Sequence, residues 1–376
     1  MKIPLFLPWI NNNDKKIMLS TLNSPNLTDG PKLEKFERVF SNKVGCKYSI
    51  GVSNGTAALH LALKSMGITL GDEVILPDMT FVATANAVIL CGAKPVLANI
   101  ESSLNISPES IKKRINKRTK AIIPVHFAGL SCKMDKIMSI ARKNNLIVIE
   151  DCAHSLGSKF NEKHVGTFGN AGCFSFYPTK NITTIEGGMV ITNSKEISNK
   201  MKQLRNHGLT RNLIQRSKNE KPWIYDIEEP GYNYRLDEVR SSLGLSQINR
   251  FDNITKKRVN AAKYYNKKFQ NEGGIEVVNH EYENVHVYHM YIIRIKPEFG
   301  ISRDSVHKKL FTKGIKTTVH YKPLHLFSNF KKFKLKNSQF IESSKAYKEC
   351  LTIPLYPTIS KKEQDYVIDN LLKLRK

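Results

Sequence analysis

Three short stretches place reactive side chains where they could act together. Lys180 stands in "CFSFYPTKNITTIEGGMV" (residues 173–190), between an apolar strand-like run and a glycine pair. A lysine in apolar, partly desolvated surroundings has a lowered pKa, so its neutral amine can attack a carbonyl and form a Schiff base. Asp151 closes the apolar run "LIVIED", at the strand end where open α/β sheets place their ligand crevice. A carboxylate there can hold a protonated ring nitrogen, with His154 of "DCAHS" facing the same ligand; equally, Asp151 caps the next helix and His154 is an interior histidine with its bonds satisfied. In "SIGVSNGTAALHLAL" a strand turns into a helix, so free N–H groups and the positive end of the helix dipole meet at Thr56 and Ala57, where a phosphate can sit. Ser, Asn and Thr also cap helices with no ligand at all, and the stretch is neither a Walker nor a Rossmann glycine pattern.

In a chain with 59 Lys and Arg no single lysine carries weight; the ordered set does. Pyridoxal phosphate requires a phosphate cup, a carboxylate opposite its pyridine nitrogen, a surface to stack on its ring and a lysine for its aldehyde. Thr56 and Ala57, Asp151, Phe81 and Lys180 offer these four.

The elements that must position them follow from the pattern. "KYSIGVS", "DEVILPD", "KPVLANI", "KAIIPVHF" and "LIVIED" read as strands, alternating with helical stretches such as "PKLEKFERVF", "GTAALHLALKSMG" and "TFVATANAVILCG". Continuous apolar strands between helices indicate an α/β protein: a mostly parallel sheet covered by helices on both faces. After Asn170 shorter strands surround the lysine, and one long helical stretch is expected from Leu236 to about Phe269. "VYHMYIIRI" and "KEQDYVIDNLLKLRK" then read as a strand and an amphipathic helix without regular alternation. The expected division is a large cofactor-binding domain, residues 1–250, and a smaller C-terminal α+β domain, residues 251–376.

A composition of 40% hydrophobic and 9% aromatic residues excludes a disordered or collagen-like chain. The formal charge of +26 attracts polyanions, nucleic acid and nucleotide diphosphates among them. The lysines are scattered, as in "KKRVNAAKYYNKKF", and no zinc spacing or RNA-binding aromatic signature accompanies them, so no nucleic-acid partner is expected. The six cysteines form no C-x-x-C pair and lack a histidine at metal-ligand spacing, which reads as free thiols in a reducing cytoplasm and no metal site. No run of about eighteen apolar residues predicts a membrane span.

Taken in order, "LTDGPKLEKFE", "SNGTAALHLAL", "GDEVILPDMTFVATANAV", "IEDCAHSLGS", "FSFYPTKNITTIEGGM", "NHG", "GYNYRLDEVRSSLGLSQI", "HYKPLH" and "IPLYP" resemble the nucleotide-sugar aminotransferases of the DegT family, within fold type I pyridoxal phosphate enzymes. The resemblance implies that Lys180 holds the cofactor aldehyde and carries protons, that Asp151 keeps the pyridine nitrogen protonated, and that Phe81 stacks on the ring. It implies further that His154 lies near the phenolic oxygen, where the family often has Gln, and that Ser175 joins Thr56 and Ala57 on the phosphate. Asn233 matches the Asn that reaches the neighbouring subunit's phosphate, implying a homodimer with shared active sites. Two positions depart from the family: Ile185 stands where Gly precedes Glu-Gly-Gly, and Asn99 where Asp is common. Relatives with His at the lysine position perform dehydration; Lys180 argues against that. The implied activity is transfer of an amino group, from glutamate, onto a keto-sugar linked to a nucleoside diphosphate, with His207, Tyr321 and His325 as candidate sugar-nucleotide contacts.

Overall fold

The computed structural model describes residues 1–210, 221–278, 285–333 and 335–376. Its first five strands are the apolar runs read from the sequence: β1 (Tyr48–Val52), β2 (Glu73–Pro77), β3 (Lys94–Ala98), β4 (Thr119–Ile122) and β5 (Ile147–Asp151). After a two-stranded hairpin of β6 (Lys159–Phe160) and β7 (Lys163–His164), β8 (Ala171–Ser175) and β9 (Gly188–Thr192) complete a seven-stranded sheet in the order β1-β9-β8-β5-β4-β2-β3. Only β9 runs antiparallel to its neighbours. Buried side chains alternate between the faces: Cys173 and Val190 join the core under one face, Phe174, Met189 and Ile191 the core under the other.

Helices cover both faces, as continuous apolar strands require. They are α1 (Asn12–Leu22), α2 (Pro31–Val44), α3 (Gly55–Ser65), α4 (Ala83–Leu90), α5 (Pro108–Lys112), α6 (Met134–Lys143), α7 (Lys195–Arg205) and α8 (Glu238–Asn249). Leu33, Phe36 and Phe40 of α2, the spacing recognisable in "PKLEKFERVF", pack with Leu245 and Ile248 of α8. Helix α3 is buried all round from Ala57 to Leu63, so its N-terminus is fixed at the C-terminal edge of the parallel strands.

The expected long helix after Leu236 is broken. α8 ends before Arg250, whose backbone (φ −112°, ψ 13°) leaves the helical region, and α9 (Phe251–Phe269) starts beyond it. Arg250 turns its guanidinium to buried Asp14 and the Trp9 carbonyl, bonds that favour the break. Beyond α9 an antiparallel sheet of β10 (Ile275–Val277), β11 (Tyr291–Ile295) and β12 (Cys350–Ile353) packs with α10 (Arg303–Thr312), α11 (Ile341–Glu349) and α12 (Lys361–Leu372), giving the smaller α+β layer. Its core takes in Ile3, which bridges to Ile315, so the first residues of the chain lie on this second unit. Among the described residues no helix is long and apolar enough to cross a membrane.

Candidate active site

The N-terminus of α3 forms one wall. Asn54 caps it by accepting the Ala57 N–H at 2.8 Å, so the capping alternative is realised, while Thr56 and Ala57 still line a large cavity. Two glycines allow the close approach that sets this wall: a Cβ on Gly55 would meet Ser175 Cβ at 2.8 Å, and one on Gly188 would meet the Asn54 carbonyl at 2.6 Å. Ser175 therefore lies against the helix end.

Asp151 forms the floor, buried at the end of β5. Its carboxylate accepts the Thr84 O–H at 2.9 Å and the Ala153 N–H at 3.1 Å. Burial raises its pKa, opposed by those two hydrogen bonds and by the charge of Lys180. The neighbouring Glu150 points the other way. It accepts the His126 Nε2–H at 3.0 Å and the N–H groups of Gly166, Phe168 and Gly169 at 2.6, 2.8 and 2.8 Å. His126 Nδ1 accepts the Cys132 N–H, which puts its proton on Nε2. Chain spacing gave no hint that His126, Glu150 and Cys152 converge within 4.8 Å, as metal ligands do. Their bonds instead make a strap that ties the segment after β7 to the sheet.

Lys180 lines the cavity opposite Asp151. Burial lowers its pKa to about 8, with Asp151 pulling the other way. The loop holding it is knitted by Lys180 N–H to the Tyr177 carbonyl (2.9 Å), Thr184 N–H to the Phe176 carbonyl (3.0 Å) and Thr183 O–H to the same carbonyl (2.9 Å). Ile185 takes φ +69°, the left-handed conformation glycine adopts readily and a β-branched residue rarely does. The isoleucine that stands where glycine was expected is thus held with backbone strain.

Rings close the third side. Phe81 is 55% exposed at the mouth, its ring 5.8 Å from that of Tyr321. His154 stacks on His289 at 4.6 Å and meets the Tyr321 hydroxyl through Nε2 at 3.3 Å. His154 Nδ1 is buried without a partner. Burial beside Lys180 holds His154 and His289 well below the usual histidine range and His320 at about 3, so all three rings are neutral. The enclosed space is about 750 Å³.

Of the residues singled out from sequence, Thr56, Ala57, Phe81, Asp151, His154, Ser175, Lys180 and Tyr321 line this cavity. His325 does not. It is buried against Asp78, donating its Nδ1–H at 2.7 Å, and stacked on Phe340 at 4.6 Å, a packing position in place of the expected substrate contact. The short turn Leu324–Leu326 carries it away from Tyr321. His207 and Asn233 also lie outside the cavity of their own chain, on an exposed edge where the His207 N–H bonds the Tyr232 carbonyl at 2.9 Å. Sequence reading missed Thr84, Glu186, His289 and His320. The i, i+4 pair Thr80 and Thr84 in "TFVAT", and the histidines in "VYHMY" and "HYKPLH", were the available signals.

A lysine held near neutrality, a buried carboxylate facing it, a helix N-terminus for a phosphate and an orphaned histidine nitrogen are the donor set pyridoxal phosphate needs, and the cavity has room for it. Fold and cavity define a pyridoxal-phosphate-dependent transaminase. Residues 8–372 match the model of the DegT/DnrJ/EryC1/StrS aminotransferase family, and the chain belongs to that family. It is 38% identical to the spore coat polysaccharide biosynthesis protein SpsC of Bacillus subtilis, over 98% of this chain and 95% of SpsC. Its structure resembles that of Helicobacter pylori PseC, an aminotransferase involved in the biosynthesis of pseudoaminic acid, with TM-score 0.94, 30% identity and coverage of 100% and 99% of the two chains. It also resembles Spr1654 of Streptococcus pneumoniae in its PLP form, with TM-score 0.92, 28% identity and coverage of 100% and 98%.

Proposed function

We propose that the chain transfers an amino group from glutamate to a keto-sugar linked to a nucleoside diphosphate, as a step toward an aminosugar. The observation that carries this reading is the pairing of Lys180 with Asp151 across one cavity roomy enough to admit a sugar beside the cofactor. The roles of SpsC in spore coat polysaccharide biosynthesis and of PseC in pseudoaminic acid biosynthesis support the sugar, and the net positive charge suits an anionic sugar nucleotide.

Pyridoxal phosphate, when bound, supplies an aldehyde that takes up amines and a ring that draws off the electron pair left when a C–H bond breaks. The chain does the rest. Lys180 Nζ, half deprotonated near pH 8, would take the proton from the donor's α-carbon and hold it for return, so the same group serves as base and acid. Asp151, oriented by the Thr84 O–H and the Ala153 N–H, would hold the protonated ring nitrogen. Thr56, Ala57 and Ser175 would hold the phosphate at the N-terminus of α3, where Asn54 caps the Ala57 N–H. Phe81 would stack on the ring from the mouth, and His154, with its unpartnered Nδ1, would supply a polar contact to it. Tyr321 and His320 bring neutral polar atoms to the sugar.

The edge carrying Asn233 and His207 supports a homodimer that completes each site. Trp223, Ile224 and Ile227 beside it are 68%, 53% and 54% exposed, an apolar surface of the kind that partners cover. The division of labour between residues 1–250 and 251–376 belongs to the same proposal, with the cofactor held by the first and the mouth shaped by Tyr321 and His320 of the second. A single-turnover assay tests the reading: the loaded protein should convert glutamate to 2-oxoglutarate and then, given a panel of nucleotide-linked keto-sugars, release an aminosugar nucleotide detectable by mass. Conversion of glutamate with no sugar in the panel aminated would overturn the acceptor assignment.

A further inference from the structure

Behind Lys180, on the side away from the large cavity, lies a second and much smaller chamber. Asn181 and Thr183 of the lysine loop, Arg258 of α9, the segment from Leu7 to Trp9 and Pro357 wall it. It leaves about 10 Å³ for the centre of a water-sized particle, room for one water or one halide ion.

Its polar lining is one-sided. Arg258 is 2% exposed, and no carboxylate pairs with it among the described residues. One terminal nitrogen reaches only the carbonyls of His289 and Leu355, at 3.4 and 3.3 Å, and Nε has no partner. Asn181, 6% exposed, leaves both amide atoms unpartnered. Asp14, on the helix that follows the Leu7–Trp9 segment, engages Arg250 and Gln247 through Oδ2, leaves Oδ1 unpartnered and does not line the chamber. Burial lowers the Arg258 pKa only to about 10, so the guanidinium stays charged at neutral pH. A buried charge left without a counter-charge is expensive, far more so than an unsatisfied neutral group.

We propose that this chamber is a halide site, occupied by a chloride ion between the Arg258 guanidinium and the Asn181 amide N–H, next to Lys180. A water molecule could satisfy either donor but would leave Arg258 and Lys180 as two cations facing a chamber with no anion. The ion lies where the lysine loop, the connecting helix α9 and Pro357 meet, so its binding joins the two cores behind the reactive amine.

Crystals of the full chain grown in bromide test this directly. An anomalous peak between Arg258 and Asn181 is expected; a chamber holding only water, with no anomalous signal, overturns the proposal. In solution the cofactor-free protein should melt about 2 °C higher in chloride than in gluconate at equal ionic strength, and this increment should vanish in Arg258→Met and Asn181→Leu. An equal increment in the natural chain and both variants would assign the effect to general salt action and refute the site. The diffraction experiment uses the natural chain and decides the matter even where a variant does not fold.

Discussion

Adjacent residues at the end of β5 send their carboxylates into two regions built on opposite plans. Glu150 enters a closed network in which four donors from two segments meet its two oxygens. Asp151 holds two donors and lines the cavity that Lys180 and His154 also line, with capacity left for a ligand. The same side-chain chemistry, one residue apart, gives a fastening in one place and a reactive floor in the other. What separates them is satisfaction: a charge whose bonds are complete holds structure, and one whose bonds are incomplete beside orphaned atoms such as His154 Nδ1 awaits a ligand.

The difference can be broken from either side. Lys180→Ala, on the cavity side, should lower transamination by about 10⁴-fold or more while thermal unfolding stays near that of the cofactor-free natural chain. A matching fall in stability would erase the contrast. Glu150→Ala, on the strap side, should cost about 3–5 kcal/mol in denaturant unfolding, because His126 and three N–H groups lose their acceptor, while molecules that remain folded still bind cofactor. Asp151→Asn should sit between these: kcat/KM down about 10²–10³-fold with little change in the unfolding midpoint. His325→Ala leaves the buried Asp78 carboxylate short of a partner and should cost about 1–3 kcal/mol with KM for the sugar nucleotide unchanged; a raised KM would return His325 to the substrate.

The smallest effect is one of pH. Because burial depresses the Lys180 pKa, the reactive neutral amine accumulates as pH rises, and the rate of cofactor uptake by the empty protein should climb through a midpoint near 8. A midpoint near the ordinary lysine value of 10.5 would show that Lys180 is solvated.

Most of the large sheet was legible because its strands are unbroken apolar runs ending at chemically distinctive residues, and Asp151, Ser175 and Lys180 sit at or just beyond such ends. The site's third wall was not, since His289 and His320 come from the second unit, and only tertiary contact places them beside His154. Tyr321 and His325 share the motif "HYKPLH", yet one faces the cavity and the other Asp78, a choice made by the turn between them. Glu150 and His126 were invisible as a pair because their bond depends on how β5 meets the loop after β4. The break at Arg250 had a similar cause: the apolar pattern runs on, and a buried aspartate from the chain's first helix interrupts it.

The central claim is that one lysine among many is the reactive one. Borohydride reduction of the protein loaded with pyridoxal phosphate, followed by peptide mass mapping, tests it most directly. Covalent attachment of the cofactor at Lys180, lost in Lys180→Ala without transfer to another site, is the predicted result. Attachment spread over surface lysines, or persisting unchanged in the variant, would contradict it.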